Sequence, residues 1–413
     1  MVKRHIITNL VLTKDLIKIV ILEKLPTSIV EIFTGEKSVE KHADFIKESL
    51  LKVKETVGAK ISNVTFIIEP FKDVNEKIQI VRETIKIPSQ IVQRQDIQNL
   101  IELAKEKYAI ALRKVILVQP ISFEVHDVIT KSYNRAPIHK KGNALTINLA
   151  ITTISDIAFN FINKIAKFHH LNITQILLTS QALAFNNISE HAQSSGAALL
   201  SIEKNHSFLT IVRNYSVITF LKFNNVGHNK LIQKIAQEFE CSEIEANKLI
   251  IVYGNIYKNV SPRIINLNNY VVEKNHLKTN VKLNDIIKQF VNNLLLVTRN
   301  YLKQKLSYKY DNFPIVINGQ VTKVQGLEEY SRSFLQTELV STFSPLTYIE
   351  QNDNNLYGLG VIKFMDKSDE VGAIHYDTIV ETNPETITHL NHKIIKSQNF
   401  LMKILSKIGG RNG

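Results

Sequence analysis

Tryptophan is absent, cysteine occurs once, and no apolar run approaches the roughly 18 residues that a membrane-crossing helix needs. The lone Cys241 excludes an internal disulfide framework and a cysteine-rich metal site. It fits a reducing cytoplasm and reads as a small filler beside a helix start. The opening residues Met1 to His5 lead straight into a strand-like pattern, so no signal peptide is expected. Acidic residues are missing from the end of the chain, with no Asp or Glu after Glu385.

What is present is an ordinary globular composition, 44% hydrophobic over 413 residues, enough for two or more domains. The formal net charge of +13 attracts acidic partners. The basic residues are widely spread, with no dense run and no aromatic RNA-binding motif, so nucleic acid is not expected as a partner. Abundant Lys, Asn and Ile also fit an AT-rich genome, which supplies lysine without functional demand.

The last seventeen residues, 397–413, form a basic amphipathic pattern. Wound as a helix, Phe400, Leu401, Ile404, Leu405 and Ile408 share one side, and Ile394 continues it a turn earlier. Lys396, Lys403 and Lys407 line one border. Such a helix lies in the headgroup layer of an anionic membrane and is too short to span it. The bland alternative is a terminal helix packed on the protein's own core.

Along the body, strand and helix periods alternate. Ile6 to Ile21 and Ser28 to Phe33 read as strands, interrupted at Lys14 and Asp15. Lys41 to Val57 reads as a helix stopped by Gly58, and Ile61 to Ile68 as a buried strand ending at Glu69-Pro70. A helix over Gln95 to Tyr108, strands at Lys114 to Val118 and Leu145 to Ile151, and a Ser155-capped helix to Phe168 follow. After a strand at Ile173 to Thr179 and a short helix, Gly196 starts a second series. It comprises strands at Ala197 to Ile202, Phe208 to Val212 and Val217 to Phe223, then helices from Asn229 and Ser242. Asp285 to Leu306 is the longest helix, its core face expected to hold Ile286, Ile287, Phe290, Leu294, Val297 and Leu302. A strand at Phe313 to Ile317 and a helix over Gly326 to Leu335 complete the series. Strands alternating with helices predict an α/β fold, and the doubled order predicts two related halves.

Several ordered segments resemble the bacterial cell-division FtsA family, actin-like membrane tethers for the tubulin-like FtsZ. They are Gln93-Arg-Gln-Asp96, Val115 to Val125, Leu145 to Leu149, His170 to Ile173, Glu243 to Gly254, Val316-Ile-Asn-Gly319 with Val324 to Leu327, and Gly358-Leu-Gly360. No single piece is specific; the collinear series followed by an amphipathic tail carries the resemblance. It implies an α/β actin-like (ribonuclease H-like, duplicated) fold with an FtsA-type inserted subdomain and a C-terminal amphipathic helix. The implied boundaries are 1–88 with 153–192 for the first half, 89–152 for the inserted subdomain, and 193–365 for the second half, including its own subdomain at 227–305. A linker at 366–392 and a membrane-targeting tail at 393–413 follow.

The nucleotide cleft of that family falls here on Thr13 and Lys14, on Ser201, Glu203, Lys204 and Asn205, and on Asn318, Gly319 and Gln320. Glycine amides should cradle phosphates there, with an Asp organising Mg²⁺. Instead Ser201 stands for the carboxylate and Glu203-Lys204-Asn205 for three glycines. ATP with Mg²⁺ is the family's ligand, but these departures argue against it, so no cofactor and no metal is assigned. Asp15, Glu203 and Glu23 are the acidic candidates near the loops. No catalytic residue is nominated, and the chain is expected not to be an enzyme. The resemblance implies a scaffold on the inner face of the cell membrane at the division site, binding an FtsZ-like protein and an anionic membrane and associating with itself. The alternatives are an actin-like ATP-binding enzyme or phosphotransferase, or an actin-like membrane scaffold outside division.

Overall fold

The computed structural model describes residues 2–58, 60–70, 74–110, 112–223, 226–256, 280–306, 312–343, 353–372, 374 and 379–382. The tail residues Ile394, Lys396, Phe400, Leu401, Lys403, Ile404, Leu405, Lys407 and Ile408 lie outside them.

The long opening strand expected from Ile6 to Ile21 is two strands, β1 (Val2–Leu12) and β2 (Leu16–Lys24). Thr13, Lys14 and Asp15 make the turn that folds β2 back antiparallel on β1. Apolar residues fill both faces of this pair, so the sequence pattern resumes after the turn with Lys14 and Asp15 as its interruption. β3 (Ile29–Ser38) follows on the edge, and α1 (His42–Val57) ends where Gly58 takes the left-handed conformation, φ 76°. β4 (Asn63–Ile68) and β9 (Asn172–Leu178) add in parallel, giving the order β3-β2-β1-β4-β9.

The second half repeats this plan. β10 (Ala197–Ile202), β11 (Ser207–Arg213) and β12 (Ser216–Phe223) form an antiparallel meander. β13 (Ile315–Gly319) and β14 (Val340–Thr342) then add in parallel, giving β12-β11-β10-β13-β14. Each five-strand path is thus three antiparallel strands followed by two parallel ones, the expected duplication. Each is followed by a helix at the corresponding place, α4 (Thr179–Asn187) after β9 and α10 (Asp353–Gly372) after β14.

Between β4 and β9 the chain builds a separate four-stranded sheet, β5-β8-β6-β7, from β5 (Lys77–Lys86), β6 (Arg113–His126), β7 (Lys131–Tyr133) and β8 (Ala144–Ser155). α2 (Arg94–Tyr108) covers it, started by a capping box in which the Gln93 amide donates to Asp96 Oδ2 at 2.7 Å. Leu145, Ile147, Leu149 and Ile151 of β8 alternate onto Leu100, Ile101 and Ala104 of α2, forming their own core. β5 pairs along its whole length with β8, so the insertion begins before residue 89. α3 (Asp156–Phe168) leads back to the main body, with Ser155 Oγ accepting from the Ala158 amide at 3.1 Å.

The second half carries α6 (His228–Phe239), α7 (Glu243–Tyr253), α8 (Asn280–Leu306) and α9 (Leu327–Leu335). α8, at 27 residues the longest described helix, buries Ile286, Ile287, Leu294 and Leu302, whereas Val297 is 43% exposed. Val297 stands one residue outside the buried i, i+4 rows, next to the equally exposed Leu296.

The expected boundary at 365 falls inside α10. Leu356, Leu359, Val361, Ile362, Phe364 and Met365 of that helix join the cluster built mainly on the first sheet, not the one that holds α6 to α9. The expected linker at 366–392 opens with the last turns of α10 and also contains β15 (Ile379–Thr382), paired antiparallel with the start of β1. Gly358 and Gly360, part of the segment that resembles the division family, are spacing residues of the helix. A Cβ on Gly360 would lie 1.9 Å from the Ala182 carbonyl oxygen of α4. The two helices that close the two halves therefore touch backbone to backbone.

Candidate functional site

The two hairpin turns of the duplicated plan, β1–β2 and β10–β11, lie at corresponding ends of the two sheets. Thr13 closes the first: its amide donates to Leu16 O at 2.9 Å, and its hydroxyl accepts from the Leu16 amide at 2.9 Å. The second closes through the Glu203 amide to His206 O at 2.9 Å. Its carbonyls do not face open space. Glu203 O and Lys204 O accept the His228 and Asn229 amides, at 2.8 and 2.9 Å, and so cap the start of α6. Asn205 adds a side-chain bond from Asn229. Gly227 lets α6 come this close, since a Cβ there would stand 2.5 Å from Lys204 O.

Ser201 and Glu203 project together. Ser201 Oγ donates to Glu203 Oε1 at 2.6 Å, and Tyr357 of α10 donates its hydroxyl to Glu203 Oε2 at 3.2 Å. Asn318, opposite Ser201 in the β10–β13 ladder, donates to Ser201 Oγ at 3.4 Å. Gly319 has φ 113°, and a Cβ on it would meet Ile202 O at 2.1 Å, so neighbouring backbone alone requires glycine there. Gln320 opens a short helical turn, Gln320–Lys323.

The carboxylate that sequence reasoning missed is Glu69, at the end of β4. Its amide donates to Leu12 O at 2.8 Å, placing it beside the first turn. Burial, then the charge of Glu203, push its carboxyl above the ordinary glutamate value; the Lys14 amide bonded to it, and the Lys18 and Lys222 charges, oppose this. Lys222 of β12 also donates to Pro70 O, joining the second half to the first. Burial, then Lys222 and Lys14, lower the His206 pKa. The signal in the sequence was the Glu69-Pro70 break after an apolar strand, but only the β1–β4 pairing aims it at the cleft.

Of the sequence-nominated residues, Thr13, Lys14, Ser201, Glu203, Asn318 and Gly319 come to these adjoining strand ends. Lys204 and Asn205 are exposed, and the Asn205 side chain accepts a bond from Asn229 of α6. Glu23 is elsewhere, bound to Arg4 in the core. Asp15 is exposed on the first turn. His126 bonds Thr130 and Thr146, and among the described residues no three His, Cys, Asp or Glu side chains are grouped to hold a metal.

These residues do not fit a magnesium-bound polyphosphate. Neither turn contains glycine, and the carboxylates of Glu69 and Glu203 stand beside them, where their charge would repel a phosphate. The arrangement is a network of short polar contacts between the halves, with Tyr357–Glu203 and Lys222–Pro70 as its bridges.

A pH signature follows. A carboxyl whose folded-state pKa is raised contributes most favourably below the ordinary glutamate value, and its contribution is lost as pH rises through the higher folded value. Glu69→Gln should therefore melt near wild type at pH 4 and above it at pH 7.5. A melting difference that stays constant across that range would show that Glu69 does not carry this charge.

No protein-family model matches the chain, and no curated protein matches it in sequence. Solved structures do. A chain of a PilM–PilN type IV pilus biogenesis complex has TM-score 0.51 at 12% identity, covering 87% of this chain and 98% of that one. MreB5 of Spiroplasma citri bound to ADP has TM-score 0.51 at 9% identity, covering 88% and 98%. With the duplicated sheets above, these likenesses show an actin-like ATPase fold. The narrower likeness to the division family rests on the ordered sequence segments alone.

Proposed function

We propose that this chain is an actin-fold scaffold of FtsA type, which holds an FtsZ-like protein at the inner membrane face without turning over ATP. The observation that supports it most is the cleft: Glu203 and Glu69 stand at turns without glycine and are engaged by the protein's own groups. A fold that keeps its architecture while losing its phosphate cradle is better suited to holding partners than to chemistry. The membrane part is supported by the amphipathic pattern at 394–408.

The likeness to a chain of a pilus biogenesis complex favours a second reading, in which the same scaffold serves a membrane assembly other than division. Flotation with anionic liposomes separates the two. FtsZ of the same organism should float only when the full chain is added, and not with Phe400→Asp/Ile404→Asp. If the full chain floats and FtsZ does not, the second reading replaces the first. In parallel, millimolar Mg-ATP should leave the melting temperature unchanged, because a ligand at 100 times its Kd stabilises by about 2.7 kcal/mol. A saturable rise would show that the cleft binds nucleotide and overturn the argument from a lost phosphate cradle; phosphate release would then overturn the non-catalytic reading.

A further inference from the structure

The end of the inserted sheet farthest from α3 is built by three loops. Residues 87–92, 127–130 and 139–143 are stitched together by Ile87 N to Asn143 O, Gly142 N to Gln90 O and Asn143 N to His126 O. Four lysines are exposed here: Lys86, Lys131, Lys140 and Lys141. None of them is in an ion pair among the described residues. Nearby carboxylates are engaged, Asp96 by the Gln93 amide and Glu124 by Arg82. Asp127 is the single acidic side chain of the β6–β7 turn.

That turn is Asp127-Val128-Ile129-Thr130. Val128 is 95% exposed and Ile129 70%, and Ile91 on the adjoining loop is also exposed. β-branched residues are poor turn formers, and Asn, Gly, Asp or Ser would close this hairpin better. Neither side chain packs on the core below, which Phe123 and Val125 already fill. His126 stiffens the turn through Thr130 at 3.0 Å and Thr146 at 2.7 Å. The fold thus accounts for the turn's rigidity but not for its two aliphatic tips.

We propose that this tip is a membrane contact, with Val128 and Ile129 entering the headgroup layer of an anionic bilayer and the four lysines meeting its phosphates. A convex aliphatic tip ringed by unpaired lysines is complementary to such a surface. Nucleic acid offers aliphatic tips no place, since its readers are hydrogen-bonding or stacking groups. The contact rests on the membrane setting proposed above but not on the tail, from which it is separate in the chain.

The absence of tryptophan makes the test direct, because Ile129→Trp in the full chain is a single reporter. Its emission should shift to the blue, and brominated acyl chains should quench it, with phosphatidylcholine vesicles containing phosphatidylglycerol but not with phosphatidylcholine alone. Leu51→Trp, half exposed on α1, should remain unquenched. In the Ile129→Trp background, Lys131→Gln and Lys141→Gln should each weaken partitioning by about fivefold, with unchanged melting temperatures. Persistence of the quenching in Phe400→Asp/Ile404→Asp would establish the tip as a contact independent of the tail. If the full chain floats while Trp emission at 129 stays water-exposed, this inference falls and the proposed tether stands. If nothing floats, both fall. If heparin shifts the emission as vesicles do and bromolipid does not quench it, the surface is a general polyanion patch and the membrane contact is overturned.

Discussion

Gly360→Val is expected to remove about 4 kcal/mol or more of stability, a large fraction of the roughly 5–15 kcal/mol by which native domains are stable. The new Cβ would stand 1.9 Å from the Ala182 carbonyl oxygen, 2.6 Å from its carbon and 3.0 Å from its Cα. All three are backbone atoms of α4, a helix buried along its whole length, so no side chain can swing aside. α10 would have to lift off. That would expose Leu359, Val361 and Ile362, and break the Lys363 bonds to Asn186 O at 3.0 Å and Oδ1 at 2.9 Å. The direction is informative, because glycine inside a helix otherwise costs about 1 kcal/mol relative to alanine. Gly372→Ala, at the end of the same helix, meets only side-chain atoms, those of Pro120 at 3.1 and 3.3 Å and Ile374 Cδ1 at 3.5 Å, and should change stability by less than about 1 kcal/mol. Urea midpoints of the two variants measure the contrast. Equal midpoints would mean that α4 and α10 do not touch as described.

Arg4→Met is expected to cost about 3–5 kcal/mol, because it strands a buried charge. Arg4 donates from Nε and Nη2 to the two oxygens of Glu23, each at 2.6 Å, and from Nη1 to Val57 O at 3.4 Å. The two side chains are 6% and 10% exposed. Without the guanidinium, Glu23 keeps its desolvation cost and loses its partner. The double replacement Arg4→Met/Glu23→Leu should recover most of the loss, since a buried ion pair is often no better than apolar residues of its size. A double-mutant cycle in urea reads this coupling. A single-variant loss below about 1 kcal/mol would show that the pair is solvated. The pair lies among β1, β2 and the end of α1, so its loss reaches three elements at once.

Local signals carried much of the fold. Gly58, Ser155 and Ser242 mark helix ends in the chain and do so in space, the last with a full capping box to Glu245. The doubled order of strands and helices was equally visible, because each element shows its own periodicity. Other elements were not legible, for physical reasons. β5 has no clean alternation, as it lies at a sheet edge with polar residues on both faces. β1 and β2 fuse into one apolar pattern because both are buried on both faces. α10 hides behind two glycines whose purpose is contact with a helix far away in sequence. The site was legible only in part for the same reason. Glu203 could be nominated from the loop in which it stands, whereas Glu69, Lys222 and Tyr357 come from three other elements and meet it only through tertiary packing.

The pairing of β15 with β1 gives the chain a mechanical path. Thr382 sits opposite Val2 and Ile379 opposite His5, so four residue pairs join the last described strand to the first. A pull on the chain beyond Thr382 is therefore delivered to β1, the central strand of its sheet, whose other end is the turn at Thr13 and Lys14. The short antiparallel ladder is the weak link and the sheet the strong one. Under rising load the four pairs should yield first and lengthen the lead, while the body holding Glu69 and Glu203 stays intact. The ladder would thus act as a fuse between any load applied beyond Thr382 and the junction of the two halves.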